Sequence, residues 1–132
     1  MMLLNKDEIA WHEAGHIIVA KSFGLELKAL RVTKERNTVA VNFGSIDELD
    51  SFQKACLAMS GYIAAKEYSK TDPVECMMHS KGDYDRVKHI LANTDIDKQE
   101  VIEYIYDTFT SNYTALAKQA DKIKKILDFM FI

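Results

Sequence analysis

Cysteine is scarce: two residues in 132, Cys56 and Cys76. That excludes a disulfide framework, and an intracellular chain keeps both thiols reduced. Charge of either sign is not in large excess, since 17 basic and 20 acidic residues leave a net charge of −3. Such a balance makes no electrostatic case for nucleic acid or an anionic membrane surface. No apolar run approaches the length needed to span a bilayer, and Met1-Met2-Leu3-Leu4 is too short for a signal peptide. A cytoplasmic chain without a membrane segment is the expectation. Repeats and low-complexity stretches are missing too, and the one proline, Pro73, falls in what reads as the longest loop. What remains is 48% hydrophobic and 28% charged, the composition of a globular protein. Residues 1–132 read as one domain, large enough to bury a core unaided.

Against that background one pentapeptide stands out, His12-Glu13-Ala14-Gly15-His16. On an α-helix, residues four apart are separated by roughly 400° of rotation, so the two imidazoles share a face. Both can reach a single metal ion. Glu13 lies roughly 100° around from His12, near enough to touch a water on that ion without ligating it. This is the zincin pattern, with two neutral histidines on Zn²⁺ and a glutamate as proton acceptor. The plain alternative is a polar helix face carrying two solvated histidines. The apolar flanks Ile9, Ala10, Ile17, Ile18, Val19 and Ala20 argue against it, because buried polar groups need partners.

The rest of the chain reads as helices around one small hairpin. Asn5 and Glu8 form a capping box opening the first helix, which runs to about Phe23 and stops at Gly24. Leu25 to Val32 and Thr38 to Phe43 read as strands joined by Lys34-Glu35-Arg36-Asn37. A second helix covers about Glu48 to Ser69, with a small-residue segment around Ser60 and Gly61 that permits close helix approach. Lys70 to Lys81 follows as a loop, and a third helix begins near Asp83. Asp97 and Glu100 cap a fourth, and the fifth spans about Asn112 to Phe129. The lysines of this last helix read as a solvated face. Phe129, Met130, Phe131 and Ile132 read as a tail packed on the core, with a partner contact as the alternative.

A catalytic zinc needs a third protein ligand and an open fourth position. Asp83 ranks first, because it stands at a loop-to-helix junction and its phase with Val87 and Ile90 turns it inward. Capping that helix is the competing role. Glu67 ranks second, at the end of the second helix; Asp85 reads as exposed and His79 as a loop histidine. Cys76-Met77-Met78-His79 has half the spacing of a structural zinc site, but no second Cys/His pair completes it.

At this point the residues carry a resemblance. Ile9-Ala10-Trp11-His12-Glu13-Ala14-Gly15-His16-Ile17-Ile18-Val19 resembles the active-site helix of the peptidase domain in FtsH-type ATP-dependent zinc metalloproteases. In order along the chain, Leu30 to Phe43 looks like that family's hairpin. Ser60-Gly61-Tyr62-Ile63-Ala64-Ala65 is similar to its Gly-Arg-x-Ala-Glu-Glu helix, and Ser80-Lys81-Gly82-Asp83-Tyr84-Asp85 to its Gly-Ala-Ser-Asn-Asp-Leu segment. Only the first motif is highly specific. The resemblance implies a zincin-like FtsH-type peptidase domain, mainly α with a small β-hairpin and about five helices. It implies Zn²⁺ held by His12, His16 and Asp83, Glu13 as catalytic base, and an extended polypeptide substrate added along Thr38, Val39, Ala40, Val41, Asn42 and Phe43.

Two departures qualify it. The family's paired glutamates fall on Ala65 and Lys66, with Glu67 one residue out of phase, and Gly82-Asp83 replaces Asn-Asp. No G-x-x-x-x-G-K-[ST] loop occurs, so the expected ATPase or adaptor partner is a separate protein. The sequence leaves a homo-oligomer open. The function expected is zinc-dependent hydrolysis of flexible or unfolded polypeptides. A non-enzymatic regulatory or interaction module derived from such a peptidase is the alternative, although such a module has no use for Glu13.

Overall fold

The computed structural model describes residues 5–33 and 38–130. The expected hairpin turn, Lys34 to Asn37, and the terminal Phe131 and Ile132 lie outside those residues. The fold is mainly helical with one two-stranded antiparallel sheet. The order is α1 (Lys6–Ser22), β1 (Ala29–Thr33), β2 (Thr38–Asn42), α2 (Ser51–Tyr68), α3 (Pro73–His79), α4 (Lys81–Ala92), α5 (Lys98–Ser111) and α6 (Tyr113–Met130).

α1 is the central element, packed against α2, α5 and α6. Its second half is buried on nearly every side, from Glu13 to Ala20, as an apolar helix must be. The Asn5 side chain accepts from the Glu8 N–H at 3.0 Å and starts the helix. Gly24 ends it with a φ of 83°, which lets the Leu25 N–H reach back to the Ala20 carbonyl at 3.0 Å. α5 and α6 are amphipathic and cover the core with Val101, Ile105, Phe109, Leu116, Ile123 and Leu127.

In the hairpin Leu30 faces Val41 and Val32 faces Val39. All four lie on one face against the core cluster, as the alternation demands. β2 stops at Asn42, one residue short of the expected Phe43, because the Asn42 side chain accepts from the Gly44 N–H at 2.7 Å. β1 begins at Ala29 and not at Leu25; 25–28 carry no strand pairing except the Lys28 N–H to the Asn42 carbonyl.

Among the described residues six helices replace the five expected. The extra one, α3, sits in the segment read as a loop. Pro73 occupies its first position and Asp72 accepts from the Val74 N–H at 2.8 Å, so both the starting φ and the first free donor are satisfied. α2 begins three residues later than expected, where Asp50 and Gln53 form a reciprocal capping box.

The small residues of α2 do what their size suggests. A Cβ added at Gly15 would stand 2.6 Å from both the Ala64 Cβ and the Ser60 carbonyl oxygen. α1 and α2 therefore cross in near backbone contact. Gly15→Ala is expected to destabilise the protein by about 1–3 kcal/mol, even though alanine favours a helix by up to ~1 kcal/mol. A urea unfolding curve checks the sign; an unchanged or raised midpoint would mean that this crossing is loose.

Candidate metal centre

Three side chains from two distant parts of the chain meet above Gly61. His12 and His16, one turn apart on α1, bring their Nε2 atoms to 3.1 Å from each other. Asp83, in the first turn of α4, places Oδ2 3.2 Å from each of those nitrogens. The three atoms form a nearly equilateral triangle. Ligands about 2.0–2.1 Å from a tetrahedral ion stand about 3.3 Å apart, so the triangle has the size of one face of such a shell. This group could hold a metal ion.

The remaining atoms of each ligand are spoken for. His16 is buried and its Nδ1–H donates to the Leu57 carbonyl at 2.8 Å, with Ser60 Oγ at 3.1 Å. Ser60 itself donates to that carbonyl at 2.7 Å. A proton on Nδ1 leaves the Nε2 lone pair facing the triangle. His12 Nδ1 has Ser80 Oγ at 3.3 Å, and Ser80 is buried. On Asp83, Oδ1 accepts from the Arg86 guanidinium at 3.1 Å, which frees Oδ2 for the triangle.

Glu13 is buried beside the ligands, its Oε1 4.0 Å from His12 Nε2. Burial raises its carboxyl above the ordinary value, outweighing the pull of His16 and His12. Burial also acts to raise Asp83, but hydrogen bonds and charge from both imidazoles win and hold it well below the usual carboxylate range. His16 is driven toward its neutral form by burial and toward its charged form by Asp83 and Glu13, and the net direction is up. Two carboxylates and two imidazoles thus share a confined space, where a divalent cation would offset the carboxylate charge.

Gly61 completes the centre. An added Cβ would come within 2.5 Å of His16 Nε2 and 2.6 Å of His12 Nε2. Only glycine leaves that space to whatever the nitrogens bind.

The other candidates fall elsewhere. Glu67 does not reach the imidazoles; it accepts from the Tyr106 hydroxyl at 2.6 Å and pairs with Lys66. Ser60 and the Leu57 carbonyl contact His16 Nδ1, and Glu67 takes no part in the centre. Asp85 is exposed and paired with Lys81. His79 turns to Glu8 and Cys76 is a buried free thiol; among the described residues neither belongs to a group that could hold a metal ion. Arg86, Ser60 and Ser80 were not among the sequence candidates. Arg86 was accessible to inspection as the i+3 partner of Asp83, whereas the serines act across the fold.

Beside the centre, Asp83 and Tyr84 form part of the wall of a mostly apolar cavity of about 220 Å³, together with Met59, Tyr62, Ile63 and Ile102. β2 lies against α1, with Val39 and Val41 half-buried and Ala40 and Asn42 exposed. No described helix is long and apolar enough to cross a membrane. Comparison of the chain with protein-family models, curated proteins and solved structures returns no match.

Proposed function

We propose that the protein is a zinc-dependent metallopeptidase of the FtsH type that cleaves flexible or unfolded polypeptides. The observation that carries the reading is the convergence of His12, His16 and Asp83 with Glu13 alongside. Two imidazoles and a carboxylate are the donor set of a catalytic zinc, and the absence of a fourth protein donor among the described residues suits an open site over a structural one.

Zinc, when bound, supplies an acidified water and a Lewis acid for the scissile carbonyl. His12, His16 and Asp83 hold the ion, and Ser80, Ser60, the Leu57 carbonyl and Arg86 fix the orientation of those three. Glu13 accepts a proton from the attacking water at its carboxylate oxygen and returns it to the leaving amine. The free edge of β2, from Thr38 to Asn42 with Phe43 just beyond, suits an extended peptide added as a further strand. The cavity beside Asp83 suits an apolar side chain next to the cut. A separate ATPase or adaptor would deliver folded substrates.

The test combines metal and cleavage. The protein is expected to take up one zinc per chain and to cut an unfolded, casein-like polypeptide. His16→Ala is expected to lose both properties. A chain that takes up no zinc, or a His16→Ala protein with full zinc content, overturns the assignment. Zinc uptake with no cleavage of any unfolded substrate favours the non-enzymatic module instead.

A further inference from the structure

Packing ties α4 chiefly to α2, and the centre needs Asp83 of α4 held 3.2 Å from two side chains of α1. A polar link from α1 to the start of α4 helps to set that distance. Glu8 sits one turn before His12 on α1, and its carboxylate is buried. Both of its oxygens receive His79 Nδ1, at 2.6 and 2.8 Å. His79 closes α3 one turn before Asp83, and its neighbour Ser80 touches His12 Nδ1. The same first turn of α1 holds the chain leading into α3. Asp7 accepts from the Lys70 N–H at 3.0 Å and Asn5 donates to Thr71 at 2.6 Å.

We infer that the Glu8–His79 pair is a clasp that positions Asp83 as a metal ligand. The inference rests on the metal reading of the centre. Geometry sets the role: Glu8 to His12 and His79 to Asp83 are matching four-residue steps. The clasp joins α1 to the end of α3 and the ligand triangle joins α1 to the start of α4, the two contacts lying either side of Ser80. A buried carboxylate with both oxygens on one imidazole is costly to place, and fixing the α3–α4 junction is what it achieves. Cys76, the other polar side chain close to Glu8, is a buried thiol pushed up to about 11 by burial and by the Glu8 charge, so it adds no competing charge.

The experiment measures zinc affinity by chelator competition, with the Co²⁺ absorption spectrum as a report on ligand geometry. Far-UV circular dichroism and thermal melting follow the fold. His79→Ala is expected to stay helical and to bind zinc about 10–100-fold more weakly, the usual cost of losing an outer support. His79→Gln, which keeps a donor on the same side, is expected to recover most of the affinity. The double variant Glu8→Leu/His79→Leu separates positioning from stability, and it stands in if His79→Ala fails to fold. Its apolar pair is expected to restore the melting temperature while zinc binding stays weak and the Co²⁺ bands stay altered. Zinc affinity within threefold of wild type in either folded variant overturns the clasp, as does recovery of affinity along with stability in the double variant. Failure of the wild type to take up zinc would instead sink the metal reading beneath it.

Discussion

Gly61→Ala is expected to abolish zinc binding while leaving the metal-free protein folded. A methyl at this position would stand 2.5–2.7 Å from atoms of both imidazole rings, closer than side-chain carbons approach in real proteins. In the metal-free chain no ion ties the two ring ends together, so they can yield to the methyl, the half-buried His12 more than His16. With an ion bound they cannot, because both nitrogens must stay on it while Leu57 and Ser60 hold the far side of His16. The substitution therefore acts in opposite directions on two observables. Helix propensity gives alanine up to ~1 kcal/mol over glycine inside α2, so the metal-free melting point is expected to hold or rise slightly. Zinc affinity is expected to fall by at least about 10³-fold, since displacing one donor from a three-donor site removes more than an outer support does. The clearest readout is the thermal shift on adding zinc. Ligand stabilisation grows as RT ln(1 + [L]/Kd) and is about 2.7 kcal/mol at a hundredfold excess over Kd. Wild type is expected to show that shift and Gly61→Ala none. A normal zinc shift in the variant would mean that the nitrogens do not share an ion above Gly61.

Much of this centre was legible in the sequence, and the limits of that reading are physical. His12, Glu13 and His16 lie within one helical turn, where 3.6-residue geometry fixes their relation. Asp83 was reachable because its helix had a definite inward phase, and the family resemblance pointed to the same residue. The half-exposed character of β2 followed from the alternation that starts at Thr38. Helix α3 was missed although Asp72-Pro73 is a sound start signal, because a proline near polar residues also reads as a loop. Ser60, Ser80 and the Glu8–His79 pair were out of reach for another reason. Their partners lie 44, 68 and 71 residues away, and periodicity carries no information at that range. Gly61 was read as a helix-approach residue, which is the role that Gly15 fills. Its own neighbour is the imidazole pair, a distinction that depends on the rotation of α2 by a single residue.

Glu13→Gln is expected to keep the metal and lose the reaction. The amide has nearly the shape of the carboxylate, and Glu13 is not one of the three atoms of the triangle. Zinc content of one per chain should persist. What disappears is, among the described residues, the one buried carboxylate beside the ligands that is not itself a ligand, and an amide cannot accept a proton. Removing a general base costs about 10²–10⁴-fold in rate, so cleavage of the unfolded substrate is expected to fall by at least that factor. Stability should move the other way. Burial raises the Glu13 carboxyl above its ordinary 4.5, so folding of the metal-free chain favours the protonated form. That contribution is fully present below the unfolded value and is lost as pH rises through the folded one. Above the unfolded value the buried group is a net cost, whether it stays charged or takes up a proton, and glutamine does not carry that cost, so the metal-free variant is expected to melt no lower than wild type at neutral pH. Loss of activity together with loss of zinc would show that the substitution had broken the site. Retained cleavage in a zinc-loaded Glu13→Gln protein would remove Glu13 from the chemistry altogether.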